Sequence, residues 1–211
     1  MALLIAVKVF AASAILWSVI ALAVQVWQAW GGGRRDYSER AGSPARGVVY
    51  NFTVAMTPAH KETIRRHPFA FAIGLVMHVG VVLVLVSVVL LLAWPAAGGV
   101  VLRVGRPVVV LSLLAGAFLL VRRAVAGDLR AMNAPDDYLA VAVTCVLLLL
   151  ASIPAMSSEN PVVLLIYSGL LALYLPLGKL RHVVFFFVAR ADYGRRLGYR
   201  GVYPPADTGR G

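Results

Sequence analysis

PVVLLIYSGLLALYLPLGKLRHVVFFFVA, residues 161–189, is apolar for long enough to cross a bilayer, yet Lys179, Arg181 and His182 sit near one end of it. About 20 predominantly apolar residues cross the hydrocarbon layer as a helix. Four further stretches of this kind precede it, at 9–30, 69–94, 107–126 and 138–153. The chain therefore reads as an all-α integral membrane protein. The expected fold is a five-transmembrane-helix bundle in which 1–211 forms a single membrane domain and 190–211 is a polar tail.

Composition supports that class. Of the 211 residues, 61% are hydrophobic, whereas soluble domains have roughly 45–50%. The net charge of +11 is no pointer to nucleic acid, because the basic residues lie between the apolar stretches. They act as orientation signals and as contacts for lipid head groups. The apolar run from the first residues to Trp30 is longer than a signal-peptide core and is read as a retained span. Cys145, the sole cysteine, permits no intrachain disulfide and no Cys-ligated iron–sulfur centre within the chain.

Local signals set the expected boundaries. Gly31-Gly32-Gly33 breaks the first span, and Pro68 opens the second. Pro95 and Gly98-Gly99 are expected to end the second, and Pro107 to open a short third. Thr57-Pro58 reads as an N-cap with proline at the first helical position, predicting a short interfacial helix over 58–66. Pro176 predicts a kink in the fifth span. Seventeen of the 20 Lys and Arg fall in 31–68, in 122–137 and from Lys179 onward; Lys8, Arg103 and Arg106 are the other three. That asymmetry predicts an N-terminus outside and a C-terminus in the cytoplasm.

An ionisable residue inside a span is a functional-site hypothesis. His78 lies about ten residues into the second span from its cytoplasmic end, and His182 lies eight residues before Arg190. At about 1.5 Å per residue both sit roughly 12–15 Å from the nearest interfacial marker. Matching depth on two helices suits bis-imidazole ligation of one haem, whose flat apolar body fits a bundle interior. The competing account is a pair of hydrogen bonds across helices. Gly74, Gly80 and Gly178 near the two histidines serve either a porphyrin's approach or ordinary helix packing.

Met77-His78-Val79-Gly80, and Leu177-Gly178-Lys179-Leu180-Arg181-His182 followed by a basic tail, resemble the cytochrome b (gamma) subunit of respiratory nitrate reductase. They are more similar to its relatives attached to heterodisulfide-reductase-like iron–sulfur proteins, and 57–68 fits that second group. The resemblance covers essentially the whole chain. It implies a haem b-containing subunit of an oxidoreductase complex in a prokaryotic cytoplasmic membrane. Such a subunit passes electrons between menaquinone or another quinone and an iron–sulfur partner on the cytoplasmic side, with substrate chemistry on another subunit. His78 and His182 match the ligands of the haem nearer the cytoplasm. The ligands of the distal haem fall at Val88 and Leu164, which cannot bind iron, so the resemblance implies one haem here.

Other polar residues have two readings each. Arg181 and Lys179 suit haem propionates or positive-inside anchoring. His60, Lys61 and His67 suit a quinone-head-group pocket at the interface. Alternatively, His67 caps the second span and His60 faces head groups. A second, interfacial haem on His67 and His60 would need an unbroken helix from His67 to His78. A haem-free anchor or assembly subunit is the main alternative. A small transporter is disfavoured by the absence of acids in mid-span and of paired broken helices in two halves.

Overall fold

A computed structural model describes residues 1–32, 38–57, 60 and 62–205. Arg34, Arg35, Pro58 and Lys61 lie outside the described residues. The protein is an all-α, multi-span membrane bundle. In chain order its helices are α1 (Ala2–Gly31), α2 (Pro44–Phe52), α3 (Glu62–Arg66), α4 (Pro68–Ala93), α5 (Pro95–Val125), α6 (Gly127–Met132), α7 (Pro135–Ser152), α8 (Val162–Tyr174) and α9 (His182–Tyr199). Four of them, α1, α4, α5 and α7, are long and apolar enough to cross a membrane; α8 and α9 qualify only when joined across their break, which makes five.

The chain divides into two compact units. The first comprises Met1–Ala21 and Phe69–Leu180; the second comprises Leu22–Pro68 and Arg181–Gly211. Helix α1 contributes to both.

In the first unit most buried positions follow a 3,4 alternation that uniform hydrophobicity conceals, with Val88, Gly99 and Leu148 buried beside it. Helix α4 buries Met77, Gly80, Val84, Ser87 and Leu91. Helix α5 buries Gly98, Leu102, Gly105, Val109, Ser112 and Gly116. Helix α7 buries Ala140, Thr144, Leu147 and Ala151. This is the spacing of a helix–helix seam. Lipid tails are as apolar as leucine, so close packing and cross-helix hydrogen bonds hold such a seam. Small residues on α4 and α5 supply the closeness. A Cβ on Gly80 would lie 2.2 Å from Ser112 Oγ, and one on Gly98 would lie 2.6 Å from the Leu91 nitrogen. The Ser112 hydroxyl donates to the Val76 carbonyl at 2.7 Å. Tyr167 on α8 donates to the Val143 carbonyl of α7, also at 2.7 Å.

Two sequence expectations need correction here. The third span is not a short helix opened by Pro107: α5 runs 31 residues from Pro95, with Pro107 inside it. Pro95 occupies the first turn, where its missing N–H has no partner to lose. Gly98 and Gly105 belong to the packed seam rather than to a loop. Pro107 falls on the exposed face, off the seam, where the loss of one helical hydrogen bond is tolerated. The stretch expected as a kinked fifth span is instead broken into two helices. Helix α8 stops at Tyr174, and Leu177 and Gly178 donate their amides to the Tyr174 carbonyl at 2.9 and 3.2 Å. A 3₁₀ turn, Lys179–Arg181, then leads into α9.

The second unit is organised by α2 lying on α9. Glycines bring the two backbones into contact: a Cβ on Gly47 would be 2.2 Å from the Gly194 carbonyl oxygen, and one on Gly198 would be 2.5 Å from the Ser43 carbonyl oxygen. Ser43 caps α2, and Pro44 takes its first position. The amides of Ala41 and Gly42 both donate to the Tyr199 carbonyl at 3.0 Å, tying the segment before α2 to the end of α9. The chain then turns at Gly201, whose φ of 72° is a left-handed conformation that favours glycine.

Candidate functional site

His78 belongs to the first unit and lies on the exposed face of α4. Its Nδ1 stands 2.6 Å from the carbonyl oxygen of Gly74, one turn back. A carbonyl only accepts, so Nδ1 carries the proton and Nε2 carries the lone pair. This fixes the tautomer and the ring plane, as the outer hydrogen bond of a metal-bound histidine does. The space over Gly74 is open, with no atom within 4 Å of where its Cβ would be. Gly80 instead packs on Ser112 and Gly178 on the Tyr174 ring. Of the three glycines near the histidines, these two are used for packing.

His182 belongs to the second unit. It is the first residue of α9, directly after Arg181, and its side chain is exposed. Among the described residues no three of His, Cys, Asp or Glu gather as a metal site, but axial ligation of haem iron needs only two side chains. Val88 and Leu164, where the resemblance puts a distal ligand pair, are 2% and 0% exposed and belong to the apolar core of the first unit.

Lys179 is engaged elsewhere than at a propionate. Its ammonium pairs with Asp137 at 2.5 Å, and its backbone N–H donates to Asp136 Oδ2 at 2.8 Å. The Tyr174 hydroxyl donates to the other oxygen of Asp136. Asp137 also accepts the Ala134 amide at 2.8 Å, capping α7. The two acids read from sequence as a helix start thus also hold the break after α8.

Arg181 lines a cleft of about 520 Å³ with Gln25, Gln28, Ala29 and Phe185. A second cleft, of about 490 Å³, is lined by Asn51, Ala55, His60, Phe186, Ala189, Arg190, Tyr193 and Tyr203. The Thr57 hydroxyl donates to the Val54 carbonyl at 2.7 Å and accepts from His60 Nδ1 at 3.0 Å. His60 therefore presents Nε2 as an acceptor when neutral. Burial, and then a hydrogen bond to Tyr193, push the Tyr203 phenol above its ordinary pKa. His67 lies outside α4, between α3 and the helix start at Pro68. The unbroken turn count from His67 to His78 is therefore not realised.

Helix α2 and the Asn51–Arg190 pair have no counterpart in the sequence reading. Asn51 Nδ2 donates to the Arg190 carbonyl at 2.6 Å. Arg190 Nη1 donates back to the Asn51 carbonyl and side-chain oxygens at 2.6 and 2.9 Å. Ser43-Pro44 was the available signal, the same N-cap and proline pattern found at Thr57-Pro58. Gly194 and Gly198, four apart, were the other.

The chain matches no family model, no curated protein and no solved structure.

Proposed function

We propose that this protein is a haem b-containing membrane anchor subunit, related to the nitrate reductase gamma family, that carries electrons between membrane quinone and an iron–sulfur partner on the cytoplasmic side. His78 and His182 are the residues that would hold the iron of a single haem. The observation that carries this reading is the His78–Gly74 hydrogen bond, which presets an imidazole on an otherwise apolar helix with Nε2 as the ligating atom. A haem held there supplies the one-electron step between a two-electron quinone and a one-electron carrier.

The protein's own groups do the rest. The Gly74 carbonyl orients His78 and raises its basicity as a ligand. Val88 and Leu164 keep the remainder of the bundle packed with side chains, so charge moves over only part of the membrane. Arg181 remains a candidate for a propionate, while Lys179 serves Asp137. His67 is the candidate to flank the quinone at the interface, while His60 lines the cleft beside Arg190. The chain lies in a prokaryotic cytoplasmic membrane with five spans, its N-terminus outside and its C-terminus inside.

The test of ligation is the spectrum of the purified chain. Dithionite should produce b-type absorbance that His78→Ala and His182→Ala each abolish. No such absorbance in the unaltered chain would leave a haem-free anchor. Topology is tested in a Cys145→Ala background by labelling Ala2→Cys and Val202→Cys with an impermeant maleimide. Opposite sides are expected, and labelling on the same side would reduce the spans to four.

A further inference from the structure

The cleft formed by α2, α9 and the chain after Gly201 contains, among the described residues, a cation without an anion. Arg190 is half-buried. Among the described residues no carboxylate forms an ion pair with it. Asp192, two residues on, is turned to Arg195 at 3.9 Å and Arg196 at 3.2 Å instead. A partly buried cation normally recruits a carboxylate, because desolvation is repaid only by pairing. The Arg190 guanidinium is nonetheless fixed. Asn51 takes Nη1 through two acceptors, and the Phe186 ring lies 5.2 Å from its Cζ. The backbone contact of Gly47 with Gly194 holds the two helices at the distance this needs.

The rest of the lining has the same character. Asn51, His60, Tyr193 and Tyr203 supply its other polar side chains, and among the described residues its lining includes no Asp or Glu. Tyr203 sits 5.1 Å from Tyr50 and 5.8 Å from Tyr193, centroid to centroid. Tyrosine hydroxyls and the Arg190 guanidinium thus line a space of about 490 Å³, together with Phe186 and two alanines. Arginine's fork matches the oxygens of a phosphate. Arg46, Arg195, Arg196 and Arg200 on the same two helices and their end add a positive field that favours anions.

We propose that the cleft around Arg190 is a phosphate-binding site that holds the head group of an anionic phospholipid of the leaflet in contact with this unit. The site needs no haem, and its test leaves the histidine ligands untouched. Arg190 contacts the phosphate, while Asn51 is a positioning residue that holds the guanidinium.

The experiment is native mass spectrometry of the full chain from detergent. It is incubated with dioleoylphosphatidylglycerol, or with dioleoylglycerol, which has the same tails and no phosphate. One phosphatidylglycerol should be retained in preference to dioleoylglycerol. Arg190→Gln should lower that retention about ten-fold, the scale of one charge-assisted hydrogen bond, and Arg130→Gln, on α6 of the first unit, should leave it unchanged. Asn51→Asp places a carboxylate beside Arg190 and should also lower it, giving a second variant should Arg190→Gln fail to fold. Displacement by millimolar inorganic phosphate would assign the same site to free phosphate rather than lipid. Equal retention of the two lipids, unchanged retention in both variants, or displacement by a quinone analogue but not by phosphate would overturn the proposal.

Discussion

His78 donates its Nδ1 proton to the carbonyl oxygen of Gly74, 2.6 Å away and one turn earlier in α4. That carbonyl is at its helical position already, so the bond costs little and fixes which imidazole nitrogen faces outward. Gly74 leaves the space above itself open, whereas the seam on the other face of α4 is filled. One helix thus has a closed packing face and an open face bearing a preset histidine.

Val88 and Leu164 separate ligation from packing. Both are core residues of the first unit. Leu164→Ala should lower stability by about 2 kcal/mol or more through the cavity it leaves, and Val88→Ala by less. Neither should change the b-type absorbance. Thermal unfolding in detergent, followed by circular dichroism, checks the first outcome, and a reduced-minus-oxidised spectrum checks the second.

Asn51→Ala removes the side-chain half of its exchange with Arg190. The guanidinium loses one acceptor and the Arg190 carbonyl loses its side-chain donor. A loss of about 1.5–3 kcal/mol is expected, the range for hydrogen bonds to a charged group. Arg190→Ala in the same background should add less than it does alone, because the two form one network. A double-mutant cycle of unfolding midpoints measures that coupling.

Gly194→Leu should detach α2. Even a Cβ at 194 would lie 2.8 Å from the Gly47 carbonyl oxygen and from the Val48 Cα, and both are backbone atoms that cannot rotate away. Limited trypsinolysis at Arg46 should become markedly faster in the variant. Cleavage at the unaltered rate would show that α2 does not depend on this contact.

How far these features are legible from sequence differs between the units. The seam on α5 was open to reading, because Gly98, Gly105 and Ser112 recur every seven residues. Pro95 and Pro107 obscured it, since each suggests a boundary where close packing in fact carries the helix through. In the second unit Ser43-Pro44 and the Gly194/Gly198 pair announce a helix and its seat. What they cannot announce is the partner of each, because Asn51 and Arg190 are 139 positions apart. Asp136 and Asp137 were legible as a helix start from the dipole rule. Their bonds to Tyr174 and Lys179 come from tertiary contact and were not.

Asp136→Ala should loosen the break between α8 and the turn at Lys179–Arg181. It removes the acceptor of both the Tyr174 hydroxyl and the Lys179 amide. Faster hydrogen exchange of the Lys179 amide is expected, with little change in α4. The Asp137–Lys179 ion pair should matter less, because the Lys179 side chain is 49% exposed and such pairs are screened by solvent and salt.

Haem stoichiometry of the purified full-length chain tests the central claim most directly. Pyridine haemochrome against protein concentration should give one haem b per chain, and none when His78 or His182 is replaced by alanine. A value of zero for the unaltered chain, or of two, would contradict it.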